Sequence, residues 1–182
     1  MHDMTAGNLR SAFGGESMAH MRYAIWADKA ENDGFPNVAR LFRAISYAEQ
    51  IHATGHFNTL KKEAGAFQVV AGAGFGLGST SENLQGALEG ELFEINEMYP
   101  AYIAVAQAQN DKTAARSFEY AVSAEKIHAQ MYKKAKEAVD GGKDVQLGPV
   151  QICSVCGHTI EGAVPDECPI CKAKGSKYKT FA

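Results

Sequence analysis

Two six-residue phrases, AEQIHA at Ala48–Ala53 and AEKIHA at Ala124–Ala129, each place a Glu three residues before a His. On a helix that spacing puts a carboxylate and an imidazole on one side, a donor pair suited to a metal ion. A buried ion pair or an ordinary core histidine is the plainer use of the same residues. The phrases belong to a longer repeat: Ala39–Ala53 and Ala115–Ala129 share eight identities in fifteen positions. Gly15-Glu16 precedes Glu49 by 33 residues, and Gly90-Glu91 precedes Glu125 by 34. Each half thus reads as a helix pair with one Glu on its first helix and Glu-x-x-His on its second.

Turning 100° per residue aligns Glu49 with Val38, Phe42, Ile45, Ala53 and Leu60, and Glu125 with Phe118, Val122 and Ala129. Glu16 shares its stripe with Leu9, Phe13 and Tyr23, and Glu91 with Leu84, Leu88, Ile95 and Tyr102. Four carboxylates on buried stripes repel one another and lose hydration, and no comparable set of Lys or Arg joins them. Two divalent cations would neutralise them, with His52 and His128 giving one imidazole to each ion. This is the known di-metal carboxylate pattern of helix bundles. Mixed oxygen and nitrogen donors suit iron or manganese, with zinc as a substitute.

A second metal motif closes the chain. Cys153, Cys156, Cys168 and Cys171 are its only cysteines and form two CxxC knuckles, the pattern of a tetrahedral four-thiolate site. Spacing alone leaves a structural zinc ribbon and a one-electron iron site equally open.

The elements that must position these groups are set by periodicity. Helical patterns cover residues ~4–64, broken at Asn32–Asn37, then residues ~82–109, and after a turn at Asn110-Asp111 run to about Val139. Between them, residues 65–78 contain five glycines and lead to the N-cap candidates Ser79, Thr80 and Ser81. Roughly seventeen residues can extend ~55 Å, enough to cross a bundle of ~42 Å helices, so the second and third helices are expected to run parallel. A loop this long also permits a domain-swapped dimer. The glycines lack the spacing and setting of a nucleotide-binding loop. The expected division is a four-helix bundle over residues 1–140, a linker over 141–150 and a cysteine domain over 151–182.

A net charge of −3 gives no footprint for nucleic acid or an anionic membrane surface. No stretch approaches the ~20 apolar residues of a membrane span, and a cytoplasmic location is the expectation. Among the remaining polar residues, Glu94 lies at the edge of the Glu91 stripe and Glu97 reads as a solvated charge. Tyr23 and Tyr99, seven and eight residues after Glu16 and Glu91, are placed either to bond ligand carboxylates or to serve as core aromatics. His20 and His56 read as ordinary helix residues with a second-layer role open.

The motifs GES at Gly15–Ser17, AEQIHA, GELFEINEMYP at Gly90–Pro100, AEKIHA and the terminal CSVCG…CPIC resemble the rubrerythrin family over nearly the whole chain. The resemblance implies a mainly α fold, a ferritin-like four-helix bundle followed by a rubredoxin-like domain of strands and loops. It implies a di-iron centre held by Glu16, Glu49, His52, Glu91, Glu94, Glu125 and His128, bridged by Glu49 and Glu125, and one iron on the four cysteines. Glu94 and His52 would exchange on one iron as its oxidation state changes. The implied reaction reduces hydrogen peroxide to water, with electrons from an external rubredoxin or NAD(P)H-linked reductase passing through the thiolate iron. The implied assembly is a homodimer or higher oligomer in which that iron serves the other subunit's centre. Gln151-Ile152 before the first knuckle and His158 after it depart from the family's usual residues. Two other functions remain to be weighed: iron oxidation and storage, and a zinc-ribbon interaction module on a metal-stabilised bundle.

Overall fold

A computed structural model describes residues 1–182. The helical periodicity becomes α1 (Asp3–Asn32), α2 (Pro36–Thr59), α3 (Thr80–Phe93), α4 (Tyr99–Ala108) and α5 (Lys112–Asp140). Gly34, at φ +87°, turns the chain after α1, and Pro36 starts α2 where a missing N–H is harmless. The expected third helix is split, since the π-helical turn Glu94–Met98 separates α3 from α4.

At the head of α3, Ser79 is the cap. Its hydroxyl accepts from the Glu82 N–H at 3.3 Å, and the Glu82 carboxylate accepts from the Ser79 N–H at 2.8 Å. Ser79→Ala should cost about 1 kcal/mol, lowering the melting temperature by roughly 2–4 °C in a scan followed by circular dichroism. Asp33, just after α1, accepts from the Thr80 hydroxyl at 2.8 Å. The crossover therefore returns the chain to the end where α2 began, and α2 and α3 run parallel as expected.

The bundle core is in two pieces. Tyr23, Trp26, Phe42, Leu84 and Tyr132 anchor one cluster. Leu9, Leu60, Tyr99, Phe118 and Ala121 belong to the other. Phe42 and Phe118 are counterparts at the 76-residue offset of the repeat, as are His56 and Tyr132. Between the clusters lies a layer of buried carboxylates and imidazoles.

Strands β1 (Val150–Cys153), β2 (Thr159–Glu161) and β3 (Tyr178–Phe181) form an antiparallel sheet in the order β2-β1-β3. Val150 and Ile152 of β1 pack on Ala44 and Ala48 of α2. The stretch expected as a linker is a docked strap. Asp144 accepts from the Asn37 and Val38 N–H groups at 2.8 and 3.3 Å, Arg40 donates to the Leu147 carbonyl at 2.5 Å, and Val145 is buried in the first core cluster. Its polar composition hid this, because its bonds go to unpaired N–H groups at a helix start rather than to water. No helix is long and apolar enough to cross a membrane.

Candidate metal centre

All four repeated acids and both repeated histidines are buried. The His52 Nδ1 lies 2.8 Å from Glu49 Oε2 and 2.9 Å from Glu125 Oε1, while His128 Nδ1 lies 3.4 Å from Glu49 Oε1 and 2.7 Å from Glu125 Oε2. Glu49 and Glu125 thus each turn one oxygen toward each imidazole, the arrangement a bridging carboxylate needs. Glu16 completes one group of donors with Glu49, His52 and Glu125, and Glu91 the other with Glu49, Glu125 and His128; within each, the donor atoms lie within 4.8 Å of one another.

The electrostatics demand cations. Burial, and then the charges of Glu49 and Glu125, pushes Glu16 and Glu91 well above the ordinary carboxylate range. Glu125, although burial works the other way, is held below that range by His52 and His128. Burial opposes a charge on either imidazole, yet the neighbouring carboxylates raise both well above the usual value. Protons on the histidines are the substitute for metal. Even so, Glu16 Oε2, Glu49 Oε1, Glu91 Oε2, both Glu125 oxygens and His128 Nδ1 are buried without a well-directed hydrogen bond, although the imidazoles approach the Glu125 oxygens closely. That many orphaned donors facing one volume fit two divalent ions and little else.

Two tyrosines cross the site. Tyr23, on the helix of Glu16, donates to Glu91 at 2.9 Å, and Tyr99, eight residues after Glu91, donates to Glu16. Both hydroxyls therefore bond acids of the site, while both rings belong to the core clusters. His56 extends the second contact, with Nε2 3.0 Å from the Tyr99 hydroxyl and Nδ1 2.8 Å from Ser117 Oγ. Its burial, and then the nearby His52, lowers its pKa to about 3, so the ring is neutral. His20 is not part of the site, and its Nδ1 lies 2.8 Å from the Ser46 carbonyl oxygen. Tyr99→Phe removes the shared partner of a buried carboxylate and a buried imidazole. A loss of about 1–3 kcal/mol is expected in denaturant unfolding of the metal-free protein.

Glu94 stands outside both donor groups. It is half-buried at the first position of the π turn, on the wall of a cavity of about 470 Å³ shared with Gly15, Arg22, Gly90 and Tyr102. The π turn has a sequence signature. Glu16 and Glu91 are 75 apart, whereas Tyr23 and Tyr99 are 76 apart, so one extra residue sits between Glu91 and Tyr99. A π turn absorbs one residue without rotating the helix beyond it. Tyr99 at eight residues thereby occupies the place that Tyr23 holds at seven. Glu97 is exposed, as its rotation suggested.

The cysteine cage is formed. Sγ distances of 3.7 Å for Cys153–Cys171 and 3.6 Å for Cys156–Cys168 are close to the ~3.8 Å edge of a tetrahedron with metal–sulfur bonds of ~2.3 Å. Gln151 is used structurally: its amide donates to the Gly162 carbonyl at 2.9 Å and its carbonyl oxygen accepts from the Thr180 hydroxyl at 2.7 Å. His158 Nδ1 pairs with the Tyr178 hydroxyl at 2.7 Å. The cage domain rests on its own bundle. Gly157 lies so close to His52 that a Cβ there would fall 2.1 Å from Nε2, and Thr159 Oγ1 is 2.8 Å from His128 Nε2. Neither contact was anticipated from sequence, because Gly157 belongs to the CSVCG knuckle only as a turn residue and Thr159 belongs to no motif.

The fold and its two sites define a ferritin-like di-metal carboxylate bundle carrying a rubredoxin-like tetrathiolate domain. The rubrerythrin family model matches residues 7–136, and the model of the rubrerythrin rubredoxin-like domain matches residues 151–179. The chain belongs to the rubrerythrin family. It is 52% identical to rubrerythrin-2 of Clostridium acetobutylicum over 98% of this chain and 97% of that protein. It is 32% identical to nigerythrin of Nitratidesulfovibrio vulgaris over 92% of this chain and 81% of that one. The fully reduced, all-ferrous structure of nigerythrin superposes with a TM-score of 0.85 at 30% identity, covering 100% of this chain and 88% of the other. The bundle site is accordingly a carboxylate/histidine di-iron site, and the tail a four-cysteine rubredoxin-like site.

Proposed function

We propose that this protein reduces hydrogen peroxide to water at the bundle site, with the tetrathiolate domain relaying electrons one at a time. The observation that carries the reading is the seating of the cysteine knuckle directly on His52 and His128. A structural zinc ribbon has no need to touch both imidazoles of a metal site. The balanced reaction takes one peroxide, two protons and two electrons to two waters. A pair of irons supplies the two-electron chemistry and a thiolate-bound iron the one-electron chemistry.

In this reading Glu16, Glu49, His52, Glu91, Glu125 and His128 would hold the two irons, with Glu49 and Glu125 shared between them. Tyr23 and Tyr99 fix the carboxylates of Glu91 and Glu16 by donating to them, and the apolar clusters on either side exclude water. Glu94 would be the exchangeable ligand, able to hold the iron that His52 also serves. Its position on a cavity wall beside the site supports a mobile role, and the cavity provides a way in for a small substrate. An external rubredoxin or NAD(P)H-linked reductase is the electron source, and the working form is a cytoplasmic homodimer.

Stopped-flow mixing tests this: peroxide should oxidise the diferrous protein much faster than oxygen does, and the reverse order would exclude a peroxidase. Glu94→Ala should lower turnover about 10–100-fold, with far-UV circular dichroism and the thiolate–iron absorption unchanged. Undiminished turnover would remove Glu94 from the mechanism.

A further inference from the structure

We infer that Thr159, a residue of the cysteine domain, is a positioning residue for the bundle's metal site, fixing the tautomer and orientation of His128 across the domain boundary. The inference deepens the peroxidase reading and rests on its assignment of His128 as a metal ligand. It does not depend on which oxidant is the substrate.

Hydrogen-bond direction is decisive. Thr159 is buried, and its hydroxyl has a single proton. That proton goes to the Gly157 carbonyl at 3.1 Å. Toward His128, 2.8 Å away, Thr159 Oγ1 must therefore act as acceptor, so His128 Nε2 carries a hydrogen. With Nε2 protonated, Nδ1 is the nitrogen left to meet a cation, a proton in the metal-free fold or a metal ion when one is bound, and it faces Glu125, Glu49 and Glu91 at 2.7, 3.4 and 3.8 Å. A lone pair pointing at three carboxylates is tenable only with a cation between them. Thr159 thus presets His128 as an Nδ1 ligand, as outer-layer partners of metal-bound histidines generally do.

The partner histidine is held differently. His52 Nε2 is buried against Gly157 without a hydrogen-bond partner. One imidazole is tied across the domain boundary and the other is only packed, so the two similar ligands have unequal freedom. The tie also links the two sites. The Gly157 carbonyl that orders Thr159 comes directly after Cys156, a cage thiolate. By reciprocity, whatever strengthens docking of the cage domain strengthens metal binding at His128, and the converse holds.

The test uses the full chain with Zn²⁺ as the only added metal, and two readouts that do not need turnover. Long-range ¹H–¹⁵N spectra of the imidazoles should show wild-type His128 as a single tautomer, protonated at Nε2 and metal-bound at Nδ1. Competition with a chelator should show Thr159→Val binding Zn²⁺ in the bundle about 10–100-fold more weakly, with His52 signals unmoved and Thr159→Ser restoring both readouts. Wild-type His128 protonated at Nδ1 would overturn the inference without any variant. So would a valine variant with unchanged affinity and an unchanged His128 pattern. Failure of the wild-type bundle to bind Zn²⁺ would overturn the ligand assignment and this inference together. Loss of the peroxidase reading alone would leave both zinc results standing.

Discussion

Gly157→Ala should uncouple the cysteine domain from the metal site while leaving its four thiolates in place. Two effects act at that position. Gly157 has φ +78°, a left-handed conformation that costs an alanine about 1–2 kcal/mol. The larger effect is steric: the new Cβ would fall 2.1 Å from His52 Nε2, and His52 is braced by Glu49 and Glu125 at 2.8 and 2.9 Å. Either the knuckle lifts away or the imidazole leaves its place. In both cases the contact we assign to electron relay is lost, and misplacement by about 1 Å can reduce turnover on the order of 100-fold. Steady-state peroxidase activity with an external donor should fall by that amount, while the visible thiolate–iron absorption persists. Gly162→Ala is the control, since Gly162 has φ +96° with open space around its Cβ position and carries the strain without the clash. Equal activity losses in the two variants would assign the effect to strain, and wild-type turnover in Gly157→Ala would show that the contact is not used.

Stripping metal should reverse the way stability depends on pH. In the metal-free fold, Glu16 and Glu91 have pKa values raised above those of the unfolded chain, chiefly by burial. The native state then holds more protons than the unfolded state, and stability falls as pH rises from the ordinary carboxylate pKa through the raised one. His52 and His128 are also raised, so the stability they lend below their ordinary pKa is lost as pH climbs through the folded values. Each group contributes up to about 1.4 kcal/mol per pH unit between its two pKa values. Glu125, His56 and His158 act in the other sense: Glu125 is depressed and loses its stabilisation only in acid, while the two buried histidines have depressed pKa values and favour the fold as pH rises to their ordinary value near 6.5. Between about pH 6.5 and 8, above the range in which His56 and His158 oppose it, the melting temperature of chelator-treated protein should therefore decline, and the gap to the metal-loaded protein should widen. Glu16→Gln should flatten part of that decline. A stripped protein with a flat profile over this range would contradict the role given to burial and charge at the site.

Much of the site was legible because it is written twice. The 76-residue repeat of Glu-x-x-His, with a Glu one helix earlier in each half, led to the donor set by residue type and helical rotation alone. All six of those donors meet in two groups, and Tyr23 and Tyr99 reach acids of the site. By rotation alone Glu94 was a surplus acid at a stripe edge, and only the family resemblance gave it a ligand's role. The extra residue that creates the π turn was countable, but only by comparing the 75-residue offset of the glutamates with the 76-residue offset of the tyrosines.

Residues 141–149 illustrate a different limit. Their composition is that of a linker, yet Asp144 and Val145 clamp them to α2 through contacts more than a hundred residues away in sequence. Local composition reports a segment's own preference and is silent about partners supplied by the rest of the fold.

Whatever is local or periodic could be read from residue order: the helices, the crossover, the buried stripes, the carboxylates and imidazoles, and the four-thiolate knuckles. Residue type and fixed spacing suffice there, because backbone geometry converts spacing directly into direction. The packed molecule was needed to show that the crossed tyrosines reach the opposite halves and that the knuckle rests on the histidines. Those contacts depend on how two separately folded surfaces meet, set by the packing of β1 on α2 and by the strap along it. The duplicated phrases looked equivalent on paper; Thr159 on one imidazole and the bare backbone of Gly157 on the other make them unequal.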